Sequence, residues 1–239
     1  MNKNRKTKVF GLFCMIAAGV VQGAGYGYTG LQGRRPTMED AHVAIKTAEH
    51  GFYGVFDGHG GSDVASYVSK FLYHNIAANS GFKINPMRAL IAGCLLTDQD
   101  LPSFAQNQGS TAIMALIKNQ RVYIGNIGDS RAVLSRAGKA IALSDDHKPN
   151  RPDEFKRITE AGGIVTKWGG IARVQGVLAV ARAFGDFALR PYVICEPEVC
   201  LHQISSDDEF LILACDGVWD VLSNQQAVAI VRASLQQNN

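Results

Sequence analysis

The stretch from Gly51 to Gly61, GFYGVFDGHGG, constrains the fold more than any other part of the chain. Phe52-Tyr53-Gly54-Val55-Phe56 is a continuous apolar and aromatic run, which reads as a buried strand. It runs directly into Asp57-Gly58-His59-Gly60-Gly61, where the glycine density imposes a tight turn and lets backbone carbonyls approach a ligand closely. Such a strand delivers one carboxylate and one imidazole to a sheet edge with little side-chain bulk around them. Ser62 then stands where it can cap a following helix. By itself the stretch also fits a plain strand-turn-helix with a polar turn, so the rest of the chain must decide.

The 239 residues can bury one large core or two small ones. Net charge is only +3, and no basic stripe or RNA-binding motif is present, which argues against a nucleic-acid partner. The five cysteines, Cys14, Cys94, Cys195, Cys200 and Cys215, form no CxxC pair and are odd in number, so they indicate neither a zinc site nor a disulfide framework. At the N-terminus Lys3, Arg5, Lys6 and Lys8 precede an apolar or small run from Val9 to Val21, followed by Gly23-Ala24-Gly25. This pattern fits a secretory leader over residues 1–25, or an uncleaved anchor. The run is short for a membrane-spanning helix, and a first strand or helix of the domain is the alternative. The folded domain is expected over residues 26–239.

Four helices are predicted. One follows Ser62 with Val64, Tyr67, Val68, Phe71, Leu72 and Ile76 on a face. A second starts at Asn85-Pro86, a third at Pro152 and ends at Gly162-Gly163, and a fourth is expected to be capped by Asn224. Between them lie short apolar strands in hairpin succession: 112–117 with 121–125 around Asn119-Gln120, and 132–134 with 139–143 around Arg136-Ala137-Gly138. Strands at 198–202 and 210–214 come later. Hairpins with grouped helices predict antiparallel sheets covered by helices, and no GxGxxG follows a strand to suggest a parallel dinucleotide-binding sheet.

Acidic residues recur at the predicted strand ends: Glu39-Asp40, Asp57, Asp129 after Gly128, and Asp216 with Asp220. Each alone reads as a solvated turn aspartate. Together they place carboxylates at a common edge, where they repel one another unless a cation neutralises them. Oxygen ligands select hard cations, Mg²⁺ or Mn²⁺. Arg34-Arg35 lies beside Glu39, and an arginine fork there would hold a phosphate; a surface basic pair is the alternative.

These residues carry a family resemblance. QGRRPTMEDAH (32–42), FYGVFDGHGG (52–61), GSTA (109–112), GDSRAVL (128–134), DDHKP (145–149), RVQGVLAVARAFGD (173–186) and ACDGVWDVLS (214–223) occur in one order and span nearly everything from Gly27. The chain resembles the metal-dependent serine/threonine protein phosphatases of the PPM, or type 2C, family. The resemblance implies an α+β fold, a sandwich of two antiparallel sheets flanked by helix pairs. It implies hydrolysis of phosphoserine and phosphothreonine by a water activated at a centre of two Mg²⁺ or Mn²⁺ ions, with a weak third. Asp57 resembles the bridging ligand, Glu39 and the Gly58 carbonyl ligands of one ion, and Asp216 a ligand of the other. Asp40 matches a residue that holds water on the metal, Arg35 the phosphate-binding arginine and His59 the general acid. Asp129 and Asp220 match residues that organise the site or take the third ion, and Thr111 a supporting polar position. The partners implied are phosphoprotein substrates of a cytoplasmic monomer, with a membrane involved only through an N-terminal anchor. The sequence departs from the pattern where 186–196 gives a short flap, and where Ala181 replaces a common Ser. Family members continue past the last helix to strands carrying an Asp-Asn motif, whose Asp is a ligand. The sequence stops at Asn239, so those strands and that ligand are expected to be missing. A phosphatase-like scaffold with little turnover is therefore the second reading. Cys215 beside Asp216 has no CX5R loop, which leaves a cysteine-nucleophile mechanism unsupported.

Overall fold

The structure, a computed structural model, describes residues 25–33 and 35–237 and the backbone of 12–18. In chain order the first strands are β1 (Leu12–Ala18), β2 (Gly27–Leu31), β3 (Ala41–Lys46), β4 (His50–Phe56) and β5 (Gly58–His59). After α1 (Asp63–Ala78) and α2 (Pro86–Gln99) come β6 (Gly109–Ser110), β7 (Ala112–Lys118), β8 (Arg121–Ile127), β9 (Arg131–Arg136) and β10 (Lys139–Ala142). Then follow α3 (Pro152–Glu160), β11 (Val165–Trp168), β12 (Ile171–Val174), β13 (Phe184–Gly185), β14 (Glu198–Gln203) and β15 (Asp208–Ala214), ending with α4 (Asp216–Trp219) and α5 (Asn224–Gln237). The fold is α+β, with several antiparallel sheets and helices, as the hairpin pattern predicts.

One five-stranded sheet has the order β14-β8-β7-β4-β3 and another the order β10-β9-β15-β1-β2. Alternation along the strands decides what each face meets. In β4 and β7, Phe52, Phe56, Met114 and Leu116 join Val64, Val68, Leu72, Leu90 and Cys94 of α1 and α2 in one core cluster. The intervening residues Tyr53, Val55, Ile113 and Ala115 pack with Leu134, Leu211 and Leu213 of the other sheet. Phe210 and Ile212, on the opposite face of β15, pack with Val218, Trp219, Val228 and Val231 of α4 and α5. Because β4, β7 and β15 are covered on both faces, they read as unbroken apolar runs rather than as alternating ones.

This register positions the site. β4 and β8 are both antiparallel to β7, so they run the same way and end at one edge. Asp57 follows one of them and Asp129 the other. The Asn119-Gln120 connection has φ of 52° and 60°, the doubly left-handed turn that a two-residue hairpin needs.

Two caps differ from expectation. Ser62 is the residue before α1, but its side chain makes no capping hydrogen bond. Instead the Asp63 N–H donates to Gln108 Oε1 at 3.3 Å, a partner too remote in sequence to be seen. The cap of α5 is Ser223, not Asn224: the Gln226 N–H donates to Ser223 Oγ and the Ser223 N–H to Gln226 Oε1, a reciprocal capping box. Asn224 instead accepts from Arg131 Nη1 at 2.7 Å. The Asn85 side chain does cap α2, accepting from the Arg88 N–H.

The N-terminal segment read as leader, anchor or first strand contributes β1, which lies between β15 and β2 and pairs with both. Residues 1–11 and 19–24 of that segment lie outside the described residues, as does Arg34. Among the described residues no helix is long and apolar enough to cross a membrane.

Candidate metal centre

Gln32, Arg35, Thr37, Met38, Glu39, Asp40, Asp57 and Asp216 line one cleft. The loop before β3, the end of β4 and the start of α4 thus bring together the five charged residues expected there. Gln32 shapes the loop that presents the arginine, its side-chain amide donating to the carbonyls of Arg35 and Pro36 at 2.8 and 3.0 Å. Arg35 Nη1 stands 3.8 Å from Glu39 Oε2. Gly58 lies so close to the Glu39 carbonyl that a Cβ there would collide with it, which is why the turn after β4 needs glycine at that position.

Asp57 is 9% exposed, and one ligand atom each from Asp57, Asp216 and Cys215 fall within 4.8 Å of one another. Burial raises the Asp57 carboxyl well above the usual carboxylate range, and Asp216, Asp40 and Asp129 push it further. Burial likewise raises Asp216, with Asp129 adding to it. Asp40 is raised by burial, partly offset by hydrogen bonds with Asp57 and Cys215 and by the nearby Arg35 charge. Such crowding leaves the carboxylates electrostatically unsatisfied, and the observation fits a cation: all the acidic donors are hard oxygens, the set that selects Mg²⁺ or Mn²⁺.

Thr111 braces Asp57. Its N–H donates to the Asp57 carbonyl at 3.0 Å, and its Oγ1 accepts from the Asp57 N–H at 3.3 Å. Oγ1 also shares a 2.7 Å hydrogen bond with Ser130 Oγ. Asp129 is buried and paired with Lys148 Nζ. Asp220 is exposed at the end of α4, its carboxyl raised by partial burial and by Asp216.

His59 is not among the residues lining the cleft; its Nε2 lies 2.6 Å from Asp186 Oδ2. Three neighbours of the site carry no assigned role in the sequence: Asp186, Lys148 and Cys215. Asp186 and Lys148 lay inside quoted motifs, RVQGVLAVARAFGD and DDHKP, which is the signal that could have found them. Cys215 is the third: it is a buried strand-end residue, as expected, yet its thiol stands 3.6 Å from Asp40 Oδ2.

Fold and site together define an α+β protein with a partly buried carboxylate cluster beside an arginine at a sheet edge. A sequence model of the protein phosphatase 2C family matches residues 24–239, and the chain belongs to that family. It is 48% identical over 215 residues to Probable protein phosphatase 2C 7 of Oryza sativa subsp. japonica, covering 87% of this chain and 57% of that protein. It is 46% identical over 215 residues to Probable protein phosphatase 2C 11 of Arabidopsis thaliana, again covering 87% of this chain and 57% of the relative. The chain thus spans little more than half the length of these relatives. Among solved structures, a phosphatase from a pathogenic strain of Toxoplasma gondii superposes with a TM-score of 0.78 at 27% identity, covering 95% of this chain and 86% of that one. The fold is also that of the serine-threonine phosphatase 2C from Toxoplasma gondii, with a TM-score of 0.79 at 21% identity over 95% of this chain and 85% of that one.

Proposed function

We propose that this chain is a metal-dependent protein serine/threonine phosphatase whose site sits at the end of a two-sheet sandwich flanked by helix pairs. The observation that carries the reading is the cleft in which Arg35 faces Glu39, Asp40, Asp57 and Asp216. Asp57, Glu39, the Gly58 carbonyl and Asp216 are the groups that would hold two Mg²⁺ or Mn²⁺ ions, with Asp129 and Asp220 beside a weaker third. Bound there, divalent cations acidify water enough to make hydroxide available near neutral pH.

The chain's own residues supply the rest. Arg35 neutralises the phosphoryl oxygens through its planar fork, which matches phosphate geometry. Asp40, whose Oδ2 accepts from the Cys215 thiol at 3.6 Å, orients the attacking water as a hydrogen-bond acceptor. Thr111 holds the Asp57 backbone in place through paired hydrogen bonds. His59 donates a proton to the serine or threonine oxygen, which leaves poorly as an alkoxide. The substrates are phosphoproteins, taken by a monomer.

The test is phosphate release from a phosphoserine peptide by the purified protein, with and without Mn²⁺. Mn²⁺-dependent turnover that is abolished by a chelator is expected. Peptide binding without turnover would mark a phosphatase-like binding protein instead.

A further inference from the structure

His59 sits in β5, directly across from Gly109 of β6, and Gly109 in turn pairs with Gly185 of β13. Asp186 follows Gly185 and reaches back over Gly109 to His59. A Cβ on Gly109 would overlap both the Asp186 carboxylate and His59 Nε2, so the middle strand carries no side chain where the outer two meet. Asp186 adopts φ 49° and ψ 41°, a left-handed conformation unusual for a non-glycine residue, directly after Gly185 at φ 72°. A residue is held there only where its surroundings over-determine it.

Those surroundings are explicit. The Asp186 N–H donates to the Gln108 carbonyl at 2.9 Å. The Gly185 N–H donates to Asp98 Oδ1 of α2 at 2.8 Å. Arg190 Nη2 closes the clamp, donating to Asp98 Oδ2 at 2.6 Å and to the Gly185 carbonyl at 3.1 Å. The Asp186 side chain is 6% exposed and ends on His59 Nε2 at 2.6 Å. A carboxylate only accepts, so Nε2 carries a proton toward Asp186, and the proton that His59 gives to a substrate oxygen is a second one, held on Nδ1.

We propose that Asp186 is a positioning residue for His59: held by the Asp98–Arg190 clamp and admitted by Gly109, it fixes the imidazole's orientation for its work on the leaving group. This rests on the reading of His59 as proton donor. It assigns α2 and the 184–190 segment a part in the chemistry, although neither lines the carboxylate cleft.

The experiment measures kcat and KM at saturating Mn²⁺ for Asp186→Ala, Asp186→Asn, His59→Gln and the His59→Gln/Asp186→Ala double variant. Each is assayed on a phosphoserine peptide and on an aryl phosphate whose phenolate leaves without a proton. Thermal melting checks that each variant is folded, and Asp186→Asn, which can still accept from Nε2, serves where alanine is too disruptive. The expected result is a loss of about 10- to 100-fold in kcat on the peptide for Asp186→Ala. KM and the aryl phosphate rate should change little, and Asp186→Asn should recover part of the loss. In the His59→Gln background the alanine should add almost nothing, because the group it orients is gone.

Equal losses on both substrates, or losses that multiply in the double variant, overturn the proposal. So does faster peptide hydrolysis by Asp186→Ala, which would mean that the aspartate sequesters His59. If His59→Gln is selective for the peptide and Asp186→Ala is not, the positioning role alone fails. If His59→Gln is itself unselective, the proton-donor reading fails and the proposal falls with it.

Discussion

At the scale of single residues, Asp57 is the most consequential position. It is nearly buried, and its nearest acidic neighbours, Asp216 and Asp40, both raise its pKa. Replacing it by asparagine removes the carboxylate that the proposed mechanism puts in contact with both cations. Asp57→Asn is expected to lower activity by at least about 100-fold, since disturbing even the outer partners of a metal can cost that much in affinity. Arg35→Ala should act differently. The arginine contacts phosphate rather than cation in the proposed mechanism, so its loss should mainly raise KM, by about ten-fold for a charged hydrogen bond. Steady-state kinetics across a Mn²⁺ titration separate the two: the Asp57 variant should not be rescued at any metal concentration, and the Arg35 variant should saturate with metal as the parent does.

At the scale of elements, α3 is tied to the body of the protein by ions. The Glu154 side chain is fully buried and pairs with Arg157 at 2.7 Å and Arg182 at 2.6 Å, with Arg151 at 3.5 Å. Burial pushes its carboxyl up, but Arg157 and Arg182 outweigh this and hold it below the usual range. Glu154→Ala leaves these guanidinium groups without their shared acceptor, and the expected cost is about 3 kcal/mol, read from urea unfolding.

His147, in the loop before α3, gives a pH signature. It is fully buried, with Nδ1 accepting from the Gly128 N–H at 3.1 Å and Nε2 3.3 Å from Glu198 Oε2. Burial, then the charges of Arg182 and Arg151, lower it from 6.5 to about 4. The neutral form is therefore favoured in the folded state, and the unfolded chain takes up the proton first. Its contribution is fully present above pH 6.5 and is lost as pH falls toward about 4. It amounts to about 3 kcal/mol at most. With no cation bound, Asp57, Asp40 and Asp216 act in the opposite sense, since their raised carboxyls contribute stability that is lost as pH rises. The comparison is therefore parent against His147→Gln: unfolding at several pH values should show the parent losing more stability than the variant between 6.5 and 4.

At the scale of the whole molecule, β1 joins β2 to the rest of its sheet. It pairs from Cys14↔Ala214 to Ala18↔Phe210 on one side and from Leu12↔Leu31 to Ile16↔Gly27 on the other. Removing residues 1–18 would leave β15 with one unpaired edge and detach β2, and exposed strand edges template aggregation. The shortened protein is expected to melt lower and to form larger species. Calorimetry and size-exclusion chromatography of the two forms side by side check this.

Much of this protein was legible along the chain because its signals are local. The apolar runs of β4, β7 and β15 mark strands covered on both faces, Asn119-Gln120 marks a two-residue turn, and Asn85-Pro86 marks the start of α2. Asp57 and Asp129 were legible as well, because each follows a strand, and the shared direction of those two strands fixes the edge at which they arrive. What remained hidden depends on partners distant in sequence. Gln108 takes over the cap that Ser62 was expected to make, 45 residues from the Asp63 N–H it serves. Asp186 meets His59 across 127 residues, through a gap that exists only because Gly109 lies between them in the sheet. Periodicity and turn chemistry report the backbone's nearest neighbours, whereas a side-chain pair such as this is fixed only when three strands come into register.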